Sequence, residues 1–379
     1  MIARFGIDTT LTLHGRTHMT LPALEGCGFL PGDDPLDRFP AGSPYEALDE
    51  LGRDLPSLLM DDRFRERIAA IELPTLGDEP VSIRELRLYY VRVGFLASAF
   101  INQVGHPPAR VLPRRLAIPL CAVCSRLDRP PILSYDGYAI YNWKRFRRNE
   151  PVTLGNIDTI QNFVHLYDEH WFILVHVEIE AIAGEAIIHI SKLASGLDHN
   201  DQEIINQEII EITAIIARMT GVLKRIPEKM DPAVYYRTFR PYIRFFEGVV
   251  YEGVAEEPLD YRGETGAQSA VIPTLVSLLK IPHRPSALTD HLAEMRRFMP
   301  AAHRLYIEGV EAVEDPRGLA DKGAYNELLE ALAAFREIHL GFAREYVARW
   351  VVDPRGTGGT PYLEWLGRLI DETRAHKIA

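Results

Sequence analysis

Two long helical patterns that follow each other along the chain constrain its fold more than any other feature. Residues 170–195 are apolar almost all round, which is typical of a helix buried in a large domain. Residues 201–226 are amphipathic, and their inner face is formed by Ile204, Ile209, Ile212, Ile215 and Ile216. A chain of 379 residues is long enough to enclose both helices in one core.

Helical patterns also dominate the rest of the chain, and strand-like alternation is scarce. The further predicted helices cover residues 57–68, 83–104, 112–127, 232–246, 287–299, 301–310, 325–350 and 362–374. A proline-rich joint at residues 105–108 separates the earlier helices from the later ones. The sequence therefore predicts an all-α protein, with a small N-terminal helical domain at residues 1–112 and a larger helical domain at residues 113–379.

The charge balance and the hydropathy pattern exclude two classes of partner. The formal net charge is -11, whereas nucleic-acid binding requires a basic face. No apolar run is long enough to span a bilayer, and the first residues lack the apolar region of a signal peptide. We therefore expect a cytoplasmic protein without a nucleic-acid or membrane partner.

The three cysteines do not indicate a metal or redox site. Cys121 and Cys124 form a single C-x-x-C pair inside an apolar helical pattern. A structural zinc site needs a second pair of ligands, and no such pair follows. Two buried thiols are the favoured interpretation, because free cysteine is among the most buried residue types.

Two histidines lie at the centre of strongly apolar helical patterns. His339 shares a helix face with apolar and aromatic residues at spacings of three and four, and His176 lies within the buried pattern of residues 170–195. The more common role of such residues is that of a core histidine bonded to a backbone carbonyl. A lone histidine cannot form a zinc site, but it can hold a haem, because the porphyrin supplies the other four donors.

Arg240 and a glycine cluster near the C-terminus are candidate ligand-binding features. Arg240 stands among aromatic residues and could pair with a carboxylate, or it could simply cover apolar area with its stem. Residues 356–360 read Gly-Thr-Gly-Gly-Thr and lack the spacing and lysine of a phosphate loop. They are interpreted as a flexible lid or as a plain turn.

Six segments, taken together and in chain order, resemble the indoleamine 2,3-dioxygenase family. They cover most of the chain after residue 110. The segments are Pro130-Pro-Ile-Leu-Ser-Tyr with Asn142-Trp143, Trp171-Phe-Ile-Leu-Val-His-Val-Glu-Ile-Glu-Ala, residues 259–269, Met295-Arg-Arg-Phe-Met-Pro-Ala-Ala-His-Arg, Phe335-Arg-Glu-Ile-His-Leu and Gly356-Thr-Gly-Gly-Thr.

The resemblance implies a two-domain helical protein that binds haem b. It places His339 as the ligand of the haem iron, with Arg336 one turn earlier near the haem edge. It places Thr265 and Gly266 at the pocket floor near the haem propionates.

The resemblance also implies a substrate pocket. Tyr135 and Phe172 would contact the indole, and Tyr235 would contact the substrate from another side. Arg240 would bind the substrate carboxylate, and Thr357 would belong to the lid loop.

Two positions depart from the family pattern. His176 stands where the vertebrate enzymes carry serine, and it is the candidate catalytic residue. It would either bond the indole N–H, as in the related tryptophan 2,3-dioxygenases, or coordinate the iron as a sixth ligand. Tyr235 replaces a phenylalanine, so the pocket is expected to be more polar.

The activity implied by the resemblance is insertion of O2 across the indole C2–C3 bond of L-tryptophan or a related indole. The product would be N-formylkynurenine, in the kynurenine pathway of tryptophan catabolism, and a reductant would keep the iron ferrous. Two alternatives stay open. One is a haem enzyme of indole secondary metabolism that acts on a substituted tryptophan. The other is a haem-binding sensor with both His339 and His176 on the iron.

Overall fold

The computed structural model describes residues 21–24, 28–77, 79–350 and 362–379, and α-helices dominate them. The α-helices are α1 (Ala47–Leu58), α2 (Phe64–Ala70), α3 (Ile83–Ile101), α4 (Arg114–Arg126), α5 (Tyr167–His199), α6 (Gln202–Leu223), α7 (Pro232–Val234), α8 (Val271–Leu278), α9 (Ala287–Arg296), α10 (Ala301–Glu311), α11 (Lys322–Phe342) and α12 (Tyr362–Ala375). The prediction of an all-α protein is confirmed.

The hairpin of α5 and α6 forms the centre of the molecule, and local residues determine where it turns. Asn200 adopts the left-handed conformation at the end of α5, with φ 54°. The side chain of Asp201 then accepts hydrogen bonds from the first N–H groups of α6. A Cβ at Gly196 would lie 3.0 Å from the side chain of Ile204, so glycine allows the two helices to approach closely.

α5 is a buried helix that nevertheless carries several carboxyl groups. It has 33 residues, and most of those between Trp171 and Ala183 are buried. Glu169 and Glu180 are almost completely buried. Among the described residues, no helix combines the length and the apolarity that crossing a bilayer would require.

Buried apolar side chains form two large clusters that meet along the first turns of α5. The first cluster joins α1, α3 and α4 to residues 130–143 and to a small sheet. The second cluster joins the remainder of α5 to α6, α8, α10 and α11. Phe172 packs against both clusters. The division of the chain into residues 1–112 and 113–379 stays a prediction.

Short strands lie around this helical core. The strands are β1 (Val111–Leu112), β2 (Trp143–Arg145), β3 (Ile157–Thr159), β4 (Phe246–Tyr251) and β5 (Leu259–Tyr261). β4 pairs in parallel with β1 and antiparallel with β5, while β2 and β3 form a separate antiparallel pair. The loop after β5 leads directly to residues 264–269, which include Ser269, a hydrogen-bond partner of Glu180.

Three of the predicted helices end earlier or break where local chemistry competes with the helix. Residues 57–68 are not continuous, because the Asp61 carboxylate accepts from the N–H of Arg63 in a turn before α2. Residues 232–246 give only α7 and a π-helical turn at Tyr235–Phe239, since Pro241 cannot continue the hydrogen-bond ladder. The predicted helix 325–350 is α-helical only to Phe342 and continues as a π-helical turn, Ala343–Val347.

Candidate functional site

His339 lies on the inner side of α11 but differs from its neighbours on the same face. Leu328 and Leu332 are fully buried, whereas His339 is exposed. Burial within the protein nevertheless lowers the pKa of His339 to about 4. Both observations agree if the imidazole faces an internal cavity. No hydrogen bond from the described residues reaches either ring nitrogen.

His176 lies on α5 and is held in one orientation. Its Nδ1 is 2.7 Å from the carbonyl oxygen of Phe172, one turn earlier on the helix. Because a carbonyl only accepts, Nδ1 carries the proton and Nε2 keeps a free lone pair. Burial lowers the pKa of His176, so the imidazole is neutral at neutral pH.

The side chains of His339 and His176 lie near each other. A charge on His176 lowers the pKa of His339, which requires the two side chains to lie near each other although 163 positions separate them. Both imidazoles are neutral and have a nitrogen lone pair available. A neutral imidazole with a free lone pair is the form that binds iron.

Aromatic rings line the α5 side of this site. The ring centroid of Phe172 is 4.6 Å from that of His176 and 5.3 Å from that of Tyr235. Tyr135 stands edge-on to His176, with centroids 6.1 Å apart and an interplanar angle of 76°. The structure thus brings together four side chains from three separate segments of the chain.

Arg240 is buried beside this aromatic wall. It follows the π-helical turn Tyr235–Phe239, and its guanidinium carbon lies 5.1 Å from the ring centroid of Tyr236. Burial raises the pKa of Tyr235 to about 12, while the charge of Arg240 and a hydrogen bond from it act in the opposite direction. Arg240 is therefore held between two tyrosines, in contact with a ring that also contacts Phe172.

The residues expected near the haem edge show different arrangements. Arg336 is buried one turn before His339, and its Nη1 donates to the Leu369 carbonyl at 2.9 Å and to the Thr373 hydroxyl. This pairing fixes Arg336 to α12. Burial lowers the pKa of the guanidinium to about 10.

Residues Thr265 and Gly266 form a short turn after β5. The Thr265 side chain accepts from the N–H of Ala267 at the start of a 3-10 turn, Gly266–Gln268. Gly266 is exposed, and a Cβ at this position would meet no atom within 4 Å. Open space therefore borders the turn. Thr357 lies outside the described residues.

Buried acids are the functional candidates that sequence reasoning missed. Burial raises the pKa of Glu180 to about 7, and those of Glu169 and Glu264 to about 8. Glu264 and Glu180 both act on the hydroxyl of Tyr135. For Glu180 the available signal was a glutamate within an almost wholly apolar helical pattern, where an ionisable residue needs a partner.

A haem fits the chemistry of the residues around His339. The porphyrin supplies four donors to its iron, so a single imidazole such as that of His339 completes the protein's part of the ligand set. In the part of the chain that the structure describes, no group of three or more histidine, cysteine, aspartate and glutamate side chains comes together to hold a bare metal ion. Both thiols of the C-x-x-C pair lie on α4, and burial raises the pKa of Cys121 to about 11 and that of Cys124 to about 12.

Comparison with known proteins gives one family. The profile of the indoleamine 2,3-dioxygenase family matches residues 23–354. Indoleamine 2,3-dioxygenase 1 of Rattus norvegicus is 30% identical, over 90% of this chain and 91% of the relative. A protein of Fusarium equiseti called 6-hydroxytryptophan 2,3-dioxygenase is 27% identical, over 92% and 87%.

A third relative has a different name. The protein of Haliotis madaka called myoglobin is 26% identical, over 80% of this chain and 82% of its own length. A myoglobin is a haem protein, so this similarity agrees with haem binding. With a profile match over most of its length, the chain belongs to the indoleamine 2,3-dioxygenase family of haem-containing oxidoreductases.

Proposed function

We propose that the protein binds haem b and inserts both atoms of O2 across the indole C2–C3 bond of L-tryptophan or a close relative, giving N-formylkynurenine. The observation that carries this proposal is the proximity of His339 and His176, beside an aromatic wall and a buried arginine. The expected setting is tryptophan catabolism in the cytoplasm, with a reductant that keeps the iron ferrous.

In this proposal His339 holds the iron. Its imidazole is neutral and has no hydrogen bond to the described residues, so it can bind the metal without first breaking one there. The haem, when bound, supplies the ferrous iron that binds O2. Arg336, Thr265 and Gly266 would lie at the haem edge, where Gly266 leaves room for the cofactor.

The substrate would lie against the α5 side of the cavity. Its indole would stack near Phe172 and Tyr235, whose ring centroids are 5.3 Å apart and tilted by 49°. Arg240 would bind the carboxylate, since a guanidinium can donate two parallel hydrogen bonds to it. Thr357 would close over the amino-acid end. Orientation of the reactants, rather than acid–base power, then supplies much of the rate.

His176 would accept the indole N–H. The Phe172 carbonyl fixes the proton on Nδ1, so Nε2 is the nitrogen that can accept a hydrogen bond from the substrate. The same lone pair could instead bind iron as a sixth ligand. The two roles exclude each other at any moment, because one lone pair forms one bond.

The decisive experiment is spectroscopic and uses the haem-loaded protein. The absorption spectrum of the ferrous protein is recorded without oxygen, and L-tryptophan and O2 are then added. A Soret band followed by the near-ultraviolet band of N-formylkynurenine is the expected result. A six-coordinate ferrous spectrum that resists CO, with no product, would instead favour a haem sensor ligated by both histidines.

A second candidate substrate class is a ring-substituted tryptophan. The pocket carries a hydroxyl at Tyr235, and Glu264 acts on the hydroxyls of Tyr135, Tyr138 and Tyr235. Such groups can bond a polar substituent on the indole, and the Fusarium equiseti relative is named for a hydroxylated tryptophan. Comparison of kcat/KM for L-tryptophan and its ring-hydroxylated forms, with product mass as readout, distinguishes the two classes.

A further inference from the structure

Glu180 joins three segments of the chain at the α5 side of the pocket. Its Oε1 accepts a hydrogen bond from the hydroxyl of Tyr135 at 2.8 Å and another from the hydroxyl of Ser269 at 2.6 Å. Glu180 is 1% exposed, so these bonds are shielded from water. The carboxylate thereby connects α5, the segment that carries Tyr135, and the end of the Gly266–Gln268 turn.

A second bond strengthens the same connection. The backbone N–H of Tyr135 donates to the side chain of Gln268 at 3.0 Å, and Gln268 also donates to the carbonyl of Gly263 at 2.9 Å. Tyr135 is therefore held at its hydroxyl by Glu180 and at its backbone by Gln268. Its ring is the one that stands edge-on to His176.

We propose that Glu180 is a positioning residue of the substrate pocket, whose carboxylate holds Tyr135 against His176 and fixes the pocket wall relative to the Gly266–Gln268 turn. Glu180 acts through Tyr135 and Ser269 and does not itself touch the reacting atoms. This inference rests on the proposed function, because the pocket wall matters only if an indole binds there.

The ionisation of Glu180 makes its hydrogen bonds to Tyr135 and Ser269 sensitive to pH. Burial raises the pKa of Glu180 to about 7, although the two donated hydrogen bonds favour its charged form. The ionised carboxylate accepts both hydroxyls at Oε1. Its Oε2 is buried and has no partner among the described residues, and a proton added there removes the charge that makes Oε1 a strong acceptor, so both hydrogen bonds weaken. Substrate affinity should therefore fall as the pH drops through about 7.

Other ionisable groups near Glu180 titrate differently. His176, one helical turn earlier on α5, has a lowered pKa, so it stays neutral as the pH falls towards 6.5. Glu264, which acts on Tyr135 from the segment after β5, has a pKa raised to about 8. Asp136, next to Tyr135, forms a buried ion pair with Arg129. Because Glu264 titrates close to Glu180, a variant of Glu180 itself must carry the test.

The test measures the affinity of the haem-loaded ferric protein for L-tryptophan from the shift of the Soret band. We expect the wild-type Kd to rise about fivefold from about pH 8 to about pH 6, the effect of losing one hydrogen bond of ordinary strength. Glu180→Gln keeps an acceptor oxygen but cannot ionise. Its Kd should stay close to the raised wild-type value at about pH 6 and should not change with pH, because an amide oxygen, like a protonated carboxyl, is a weaker acceptor than a carboxylate.

Glu178→Gln is the matched control, because Glu178 is a buried glutamate on the same helix whose Oε2 accepts from the Leu154 N–H at 3.0 Å. It should keep the wild-type pH dependence. Glu180→Leu removes the acceptor and should raise Kd about tenfold at both pH values, with kcat at saturating substrate changed less than about twofold. A general loss of structure would instead lower haem content and the melting temperature.

Three results would overturn the inference: a wild-type Kd that does not change with pH, a Glu180→Gln variant that keeps the wild-type change, or a folded Glu180→Leu variant that binds like wild type. Failure of the proposed function is recognised separately, as haem-loaded protein that responds to no tryptophan. A fluorine label beside the hydroxyl of Tyr135 then tests the contact without substrate. Its resonance should titrate near pH 7 in wild type and not in Glu180→Gln.

Discussion

α5 and α11 each carry one of the two neighbouring histidines, and the hydrogen bonding of these histidines differs. α11 presents His339 with no hydrogen bond from the described residues to either ring nitrogen. α5 fixes His176 through the Phe172 carbonyl and, one turn later, carries Glu180 bonded to Tyr135 and Ser269. The α11 side therefore offers an imidazole without a hydrogen bond to the described residues, whereas the α5 side offers polar groups that hydrogen bonds already hold in place.

This difference determines what the α11 side and the α5 side can each do. An imidazole without a partner can bind a metal without losing a bond, whereas a hydrogen-bonded wall can hold a substrate in one orientation. We infer that iron binding belongs to the α11 side and substrate recognition to the α5 side. Substitutions on the two sides should therefore have separable effects, on haem binding and on substrate binding.

His339→Ala should abolish haem binding and all dioxygenase activity, because the cavity would lose the imidazole that holds the iron. The measurements are Soret absorbance per protein and turnover. His303→Ala is the matched control, since burial lowers the pKa of His303 on α10 to about 4, as it does that of His339. Normal turnover by His339→Ala would disprove the ligand assignment.

Arg240→Ala should raise the KM for L-tryptophan by about 10- to 100-fold, the effect of losing a charged hydrogen-bond partner for the carboxylate. Haem content should not change, because the effect belongs to the α5 side of the cavity. Arg237→Ala is the control, as Arg237 is an exposed arginine of the same turn that lies over the ring of Trp350. An unchanged KM in Arg240→Ala would place the carboxylate elsewhere.

His176→Ala should lower kcat/KM for L-tryptophan about tenfold through loss of the acceptor for the indole N–H. It should leave the ferrous spectrum of the resting protein unchanged. A change from a six-coordinate to a five-coordinate spectrum in this variant would instead show that His176 binds the iron.

The pH dependence of kcat sharpens the same test. Because burial lowers the pKa of His176, the neutral accepting form persists below the ordinary histidine value of 6.5. The wild-type kcat at saturating substrate should therefore stay constant as the pH falls towards 6.5 and decline only below it. His176→Ala should lack that decline.

Tyr235→Phe should have the smallest effect, a rise of about twofold to fivefold in KM from the loss of one hydrogen bond to Arg240. Aromatic packing against Phe172 is retained, so haem content and melting temperature should be close to wild type. A ring-hydroxylated tryptophan should lose more affinity than L-tryptophan if the Tyr235 hydroxyl bonds the substituent. Equal losses for both substrates would remove Tyr235 from ring recognition.

Periodicity predicted most of the fold, and failed where short-range chemistry competes with the helix. The patterns at residues 170–195 and 201–226 correspond to α5 and α6, because a long apolar period leaves few alternatives to a buried helix. Pro241 ended the predicted helix at residues 232–246 early. The π-helical turn Tyr235–Phe239 directly precedes Arg240.

The candidate site was predictable only in part. Periodicity identified His339 and His176 as histidines on apolar faces, and the resemblance supplied roles for them and for Arg240. Nothing in the sequence indicated that Tyr135 and Ser269 would share one oxygen of Glu180. These residues are 45 and 89 positions from Glu180, and hydrogen bonds between distant segments leave no periodic signal.

The sequence by itself determined most of the helices and the family, because side-chain periodicity and the order of motifs are properties of the linear chain. Only the tertiary structure decided which histidine would be hydrogen-bonded and which would have no hydrogen bond to the described residues. That outcome depends on where α5 and α11 meet and on which partners lie within hydrogen-bond distance. Burial in that arrangement keeps both imidazoles neutral and brings the pKa of Glu180 to about 7, and neither property belongs to the residues alone.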